Sequence, residues 1–323
     1  MPWLTQDYYI NFYGGEPVLN YDTIEKTVNF LTAEDTKRKK RPHFSMTTNG
    51  ALLSEEKIRF LDKHQFSVEL SFDGLAQVIR RDRKSYDKVI QIIARILERQ
   101  NIRLETNSVF DAWSVSYLSE SVASIIGLGV RNISLSLSIL TSWDRQSLGK
   151  LEQEIANLGQ IQLASYQRTG EIRLVDFRED GQKGVFYCAA GRDRFAVSTD
   201  GTIWGCPLFA DYFAGRENSP QYEEYCFRNL GRPGVKPGNV FSRIRSNYAH
   251  LSMDNFSTTT RKCFLCPDLE DCSICPMNVS IAGHSWEKIP DYVCAIQKIK
   301  IRGKEKFSKE LRKIRRPAIW KKR

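Results

Sequence analysis

Five short strand-like runs separated by single helical runs are what most limits how this chain can fold. "YYINFY" (8–13), "HFSM" (43–46), "SVELS" (67–71), "RLETNSV" (103–109) and "NISLSL" (132–137) are rich in β-branched and aromatic residues, as strands are. Between them, Val89, Ile92, Ile93 and Ile96 recur at helical spacing, and so do Leu118, Val122, Ile125 and Ile126. Ser54 followed by Glu55 and Glu56 reads as a helix start, with an N-cap oxygen and acids near the positive dipole end. Strands that alternate with single helices pair in parallel through right-handed crossovers. The spacing predicts an α/β layer or a barrel, closed by a helix from about 145 to 168.

The rhythm changes after "IRLVDF" (172–177), where turn residues, cysteines and short β-segments take over. A domain boundary is expected near residue 180. Asp200-Gly201 lies between two alternating runs, a signal for a type I′ hairpin. The segment 211–262, with "GRPGVKPGN" at its centre, reads as loop.

Charge is segregated along the chain. Of the net +10, the run 297–323 carries 13 Lys/Arg and 2 Asp/Glu, so the rest is close to neutral at −1. This basic tail reads first as a solvated, partly helical extension, and nucleic acid is not the partner expected of it. No run of eighteen apolar residues occurs, so no membrane span is expected. The start has no basic segment followed by an apolar one, so a secretory signal is not read there and a cytoplasmic location is expected. Thiols in such a compartment stay reduced, which favours metal ligation over disulfides. His43, His64, His250 and His284 are scattered and read as ordinary surface or core histidines.

Three turn motifs follow three successive strands: "YGGEP" (13–17), "TTNG" (47–50) and "SFDG" (71–74). In a parallel α/β fold the loops after strands open on one face, where ligands bind. Glycines there let backbone approach a ligand. All eight cysteines lie at or beyond Cys188, and seven are ordered: Cys188 and Cys206 around Gly201, then Cys263, Cys266, Cys272 and Cys275, then Cys294. Two residues between cysteines allow both sulfurs to meet one metal centre. A four-thiolate zinc site and a pair of four-cysteine iron–sulfur sites both fit this spacing.

The GGEP, TTNG and S-x-D-G turns, in order before the seven-cysteine pattern, resemble the radical SAM enzymes that carry a SPASM domain. The resemblance runs from about Tyr8 to Cys294. It implies a partial (β/α)6 barrel over 1–180, a cysteine-rich SPASM-like domain with a small hairpin and loops over 181–296, and the basic tail at 297–323. It implies that backbone groups of Gly14, Gly15 and Glu16 hold the amino end of S-adenosylmethionine, and that Ser71 and Arg83 hold its carboxylate and ribose.

The same resemblance implies up to two auxiliary 4Fe-4S clusters. Cys263, Cys266, Cys272 and Cys294 would hold one. Cys188, Cys206 and Cys275 would hold the other, with Cys226 as the remaining thiol for its fourth position. It further implies a ribosomally made peptide or protein substrate, and a reductant such as flavodoxin or ferredoxin. A sulfatase-maturating role is not favoured, because Pro207 follows Cys206 where that subfamily has an aspartate.

Two departures from the family pattern stand out. The cysteine run ends in x2 rather than x3. No cysteine precedes Cys188, so the C-x3-C-x2-C loop of the radical-generating cluster is absent, together with the first βα unit. The chain as given is therefore expected to bind S-adenosylmethionine poorly and to be inactive alone. A non-catalytic iron–sulfur electron-transfer or partner subunit and a zinc-stapled binding module are the other readings.

Overall fold

All five expected strands form and pair in one parallel sheet: β1 (Asp7–Phe12), β2 (Arg41–Thr48), β3 (Ser67–Ser71), β4 (Arg103–Phe110) and β5 (Asn132–Leu137). The computed structural model describes residues 7–38, 41–80, 82–178, 190–227, 237–249, 256–259, 262–275, 279 and 288–315. The chain divides into two units. One comprises Met1–Ser138, Gly149–Gly181 and Gly303–Arg323; the other comprises Ile139–Leu148 and Gln182–Arg302.

In the first unit the strand order is β1-β2-β3-β4-β5, so the sheet never reverses direction. The connections run through α1 (Tyr21–Arg38), α2 (Glu55–Lys63), the short α3 (Ala76–Arg80) with α4 (Arg83–Leu97), and α5 (Leu118–Gly127). Right-handed crossovers that all advance the same way put their helices on one face of the sheet. Alternation along the strands agrees. Phe44, Met46, Val68, Leu70, Leu104, Phe110 and Ile133 point one way and are buried. Burying each such side chain stabilises the fold by about 1.5–3 kcal/mol. The other face is polar: Asn11, Ser45, Thr47, Glu69, Glu105, Asn107, Ser134 and Ser136, none of them fully buried.

Helix ends follow local chemistry. Ser54 Oγ accepts from Lys57 N at the start of α2, and Asp82 accepts from Ser85 N at 2.7 Å at the start of α4. The apolar side of α4, Val89, Ile92, Ile93 and Ile96, is buried, as are Leu118, Val122 and Ile125 of α5. Helix α6 (Arg145–Thr169) follows β5.

The second unit holds β6 (Ala196–Val197) paired antiparallel with β7 (Ile203–Trp204), then α7 (Pro207–Phe213), α8 (Tyr222–Tyr225) and α9 (Pro237–Tyr248). The hairpin differs from the expected type I′. Gly201 N donates to Ser198 O at 2.9 Å, and Gly201 has φ +80°. Gln65 is the only non-glycine with positive φ among the described residues, so Asp200 is not left-handed. This is a three-residue loop ending in a glycine bulge. The stretch expected as loop also contains α8 and α9, the latter beginning at Pro237, because proline is suited to a first helical position as well as to a turn.

The basic run is not simply an appendage. Helix α10 (Asp291–Arg315) includes most of it. Val293, Ile296, Ile299, Phe307 and Leu311 are buried, and Phe307 stacks on Phe177 with centroids 4.9 Å apart. Apolar residues every three or four places lie inside the charge run, so a charge count alone hides an amphipathic helix.

Candidate functional site

The three turn motifs lie where β1, β2 and β3 end. Gly14 has φ +150°, and a Cβ built on Gly14 or Gly15 meets nothing within 4 Å. Both glycines are exposed, so backbone there is open to a ligand. Glu16 follows with a half-buried side chain directed at the next turn. Its Oε1 accepts from Thr48 Oγ1 at 2.7 Å and from Val18 N at 3.2 Å, and its Oε2 accepts from Asn49 N at 2.8 Å. Thr48 Oγ1 in turn accepts from Gly50 N at 3.1 Å, and Asn49 Oδ1 from Ala51 N at 2.8 Å. One carboxylate thus ties GGEP to TTNG. Charge-assisted bonds of this kind contribute about 1.5–3 kcal/mol each. The side chain of Glu16 is engaged in positioning and its carbonyl accepts from Leu19 N at 3.2 Å, while the backbone of Gly14 and Gly15 stays exposed.

In the SFDG turn the side chains divide between two tasks. Ser71 ends β3, half-buried and in register with Asn107 of β4. Asp73 is buried, and its Oδ1 accepts from Val109 N at 2.8 Å. Gly74 has φ +58°, and a Cβ there would sit 2.6 Å from Ser121 O. Asp73 and Gly74 therefore fix the turn against β4 and α5. Arg83 lies exposed in the first turn of α4. Its Nε donates to Asp87 at 3.0 Å, and its guanidinium lies over the Tyr86 ring. The structure does not join Arg83 to Ser71. An exposed pair such as Arg83–Asp87 is worth about 0–1 kcal/mol and is readily exchanged for another anion.

The polar face of the sheet contains residues that the turn motifs did not flag. Thr47, Glu69 and Glu105 are register neighbours on β2, β3 and β4. Burial and the nearby Glu105 charge raise the Glu69 pKa, against hydrogen bonds from Asn107 and Thr47. Ser134 donates to Glu105, and Ser136 Oγ to Asn107 Oδ1 at 3.0 Å. The signal was present in "SVELS" and "NISLSL", where every second residue is polar, and in the polar run "ETNS" of "RLETNSV".

The described thiols gather in two places, both in the second unit. Cys263 is pushed up to about 11, first by burial and then by Cys294 and Cys266. Cys272 is pushed up to about 12 by burial, against a backbone hydrogen bond from Ile274, with Cys294, Cys263 and Cys266 adding to the rise. These four sulfurs thus feel one another's charge, beside an apolar cluster of Phe256, Ile274 and Val293. The C-x2-C turn is closed by Cys266 N donating to Cys263 O at 2.9 Å.

Cys226 is buried in a separate aromatic cluster with Trp204, Phe209, Tyr225 and Tyr248, and Cys206 and Cys275 pack against it. Tyr248 OH accepts from Gly205 N at 2.8 Å, and the charges of Cys206 and Cys226 add to the rise that burial imposes on its pKa. Cys188 lies outside the described residues. All seven described cysteines are free of disulfides. Among the described residues, no three His, Cys, Asp or Glu side chains close to the geometry of a single metal ion. The all-sulfur donor sets suit iron–sulfur clusters, in which each thiolate binds a different iron, and also thiolate zinc.

No helix of the described residues is long and apolar enough to cross a membrane. The chain is similar to the radical SAM cyclopropyl synthase TigE of Paramaledivibacter caminithermalis, with 23% identity over 219 residues, 63% of this chain and 44% of the relative. It spans less than half the length of the curated relatives it matches. Among solved structures, anSMEcpe with bound AdoMet shares the fold at TM-score 0.72 and 14% identity, covering 97% of this chain and 83% of that one. The same enzyme with AdoMet and the Kp18Cys peptide gives 0.70 and 13%, covering 97% and 87%. The family model described as the radical SAM superfamily matches residues 5–138. Those residues contain the whole parallel sheet and its three turns, so it is this part of the chain that carries the radical SAM superfamily match.

Proposed function

We propose that this chain binds S-adenosylmethionine and auxiliary iron–sulfur clusters as part of a SPASM-class radical enzyme that modifies a peptide or protein side chain. The observation that carries this reading is the Glu16 tie between the first two turns, beside exposed Gly14 and Gly15. With Glu16 locked, the backbone of Gly14–Glu16 is pre-set to hold the amino end of the ligand. Ser71 would hold its carboxylate and ribose end, with Arg83 once it leaves Asp87. S-adenosylmethionine bound there would supply a hydrogen-abstracting carbon radical after reductive cleavage.

Cys263, Cys266, Cys272 and Cys294 would hold one auxiliary 4Fe-4S cluster. Cys206 and Cys275, with Cys188 and with Cys226 as fourth ligand, would hold the other. A flavodoxin or ferredoxin would deliver electrons. The peptide-bound neighbour supports a peptide substrate. The cleaving cluster needs a three-cysteine loop that these 323 residues do not include, so the chain as given is not expected to cleave S-adenosylmethionine by itself.

Anaerobic reconstitution with iron and sulfide tests the reading. Iron and sulfide should bind in amounts matching up to two clusters, and Cys266→Ser or Cys272→Ser should lower both. Stoichiometric zinc without iron would overturn it in favour of a zinc-stapled module. The two groupings of thiols in the second unit by themselves also suit a second reading, a non-catalytic iron–sulfur partner subunit. Iron-loaded protein that shows no saturable binding of S-adenosylmethionine would select that one.

A further inference from the structure

Helix α10 is anchored on one side and charged on the other. Within the first unit, Phe307 and Leu311 are buried, 2% and 1% exposed, and Phe307 stacks on Phe177. Lys306, Lys309, Arg312, Lys313 and Arg315 are exposed on the same stretch. Lys306, Lys309 and Lys313 follow the i, i+3, i+7 spacing of one helical stripe, about 10 Å long at 1.5 Å per residue. Lys313 pairs with Glu310 at 2.7 Å. Lys306, Lys309 and Arg312 have no ion pair among the described residues. The only other acid on this run is Glu305, so the stripe is not neutralised by its own helix.

We infer that the stripe Lys306, Lys309, Arg312 and Lys313 is a docking surface for an acidic segment of the peptide or protein that the chain modifies; this rests on the proposed function for the identity of the partner. Charge complementarity sets the chemistry. The positive charge of the whole chain is concentrated in 297–323, while the remainder sits at −1. The buried side of the helix holds those cations in place, so binding does not have to order a loose tail, a cost that weakens most charged contacts. Carboxylates suit the surface better than single-stranded nucleic acid. The one aromatic residue of the run up to Arg315, Phe307, is buried, so among the described residues the stripe itself offers bases no ring to stack on.

The test uses the full chain, without S-adenosylmethionine or reconstituted clusters, and a fluorescently labelled glutamate-rich peptide. Binding is followed by anisotropy at low and high salt. The triple variant Lys306→Gln, Lys309→Gln, Arg312→Gln should weaken binding roughly tenfold at low salt and remove most of the salt dependence. The matched triple Lys84→Gln, Lys88→Gln, Arg95→Gln removes three exposed cations from α4 and should change affinity less than twofold. Equal losses in both variants, or no loss in the first, would overturn the assignment. So would tighter binding of a DNA duplex of the same charge. Because no cofactor takes part, failure here leaves the barrel reading standing, and failure of iron or S-adenosylmethionine binding leaves the stripe result standing.

Discussion

The carboxylate of Glu16 accepts the backbone N–H of Asn49 at 2.8 Å, across 33 residues of sequence and between the ends of two parallel strands. Two of the expected ligand turns are thereby one structural piece. The glycines before Glu16 keep a fixed path because the carboxylate after them is held.

Glu16→Gln should weaken that piece. Asn49 N–H and Thr48 O–H both donate to the carboxylate, and an amide offers one oxygen and one donor in its place. The expected loss is about 1.5–3 kcal/mol in urea unfolding. A weaker affinity for S-adenosylmethionine should accompany it. Unchanged stability would show that the tie is not made in solution.

Glu69→Gln should act in the opposite direction at neutral pH. The folded-state pKa of Glu69 is raised above the ordinary 4.5 by burial and by Glu105. A carboxylate raised in this way costs stability above its folded pKa, and the cost disappears as pH falls to its unfolded pKa. The variant should therefore be more stable than the parent at pH 7. Its advantage should shrink as pH drops toward 4.5. Thermal melts of both proteins across that range measure it, and a constant difference would contradict the cause assigned here.

Two glycines should separate folding from ligand binding. Gly74→Ala forces a left-handed residue against Ser121 O, 2.6 Å from the new Cβ. It should cost about 3 kcal/mol. Gly15→Ala adds its methyl to open space and should cost less than about 0.5 kcal/mol, while lowering the affinity for S-adenosylmethionine. Calorimetric titration and melting curves on both variants decide the matter.

Phe307→Ala tests whether the basic run belongs to the folded body. The ring is 2% exposed and stacked on Phe177, so its loss should cost about 3–5 kcal/mol. A solvated extension would give no measurable change in the unfolding midpoint.

The sequence by itself determined the five strands, their helical connections, the three turns at strand ends and the spacing of the cysteines. All of these are local patterns. Alternation and helical periodicity report which way a side chain faces within one element, and right-handed crossovers then leave little freedom in strand order. The tertiary structure decided what the patterns do together. It spent the Glu16 carboxylate on Thr48 and Asn49, and it brought Glu69 and Glu105 into register across two strands. It turned Arg83 toward Asp87 rather than Ser71, and seated Phe307 on Phe177 from within a run that reads as charge. Each of these depends on the offset between strands or on which helix covers which face. Residue spacing along one chain does not encode those offsets, because they are set by packing between elements far apart in sequence.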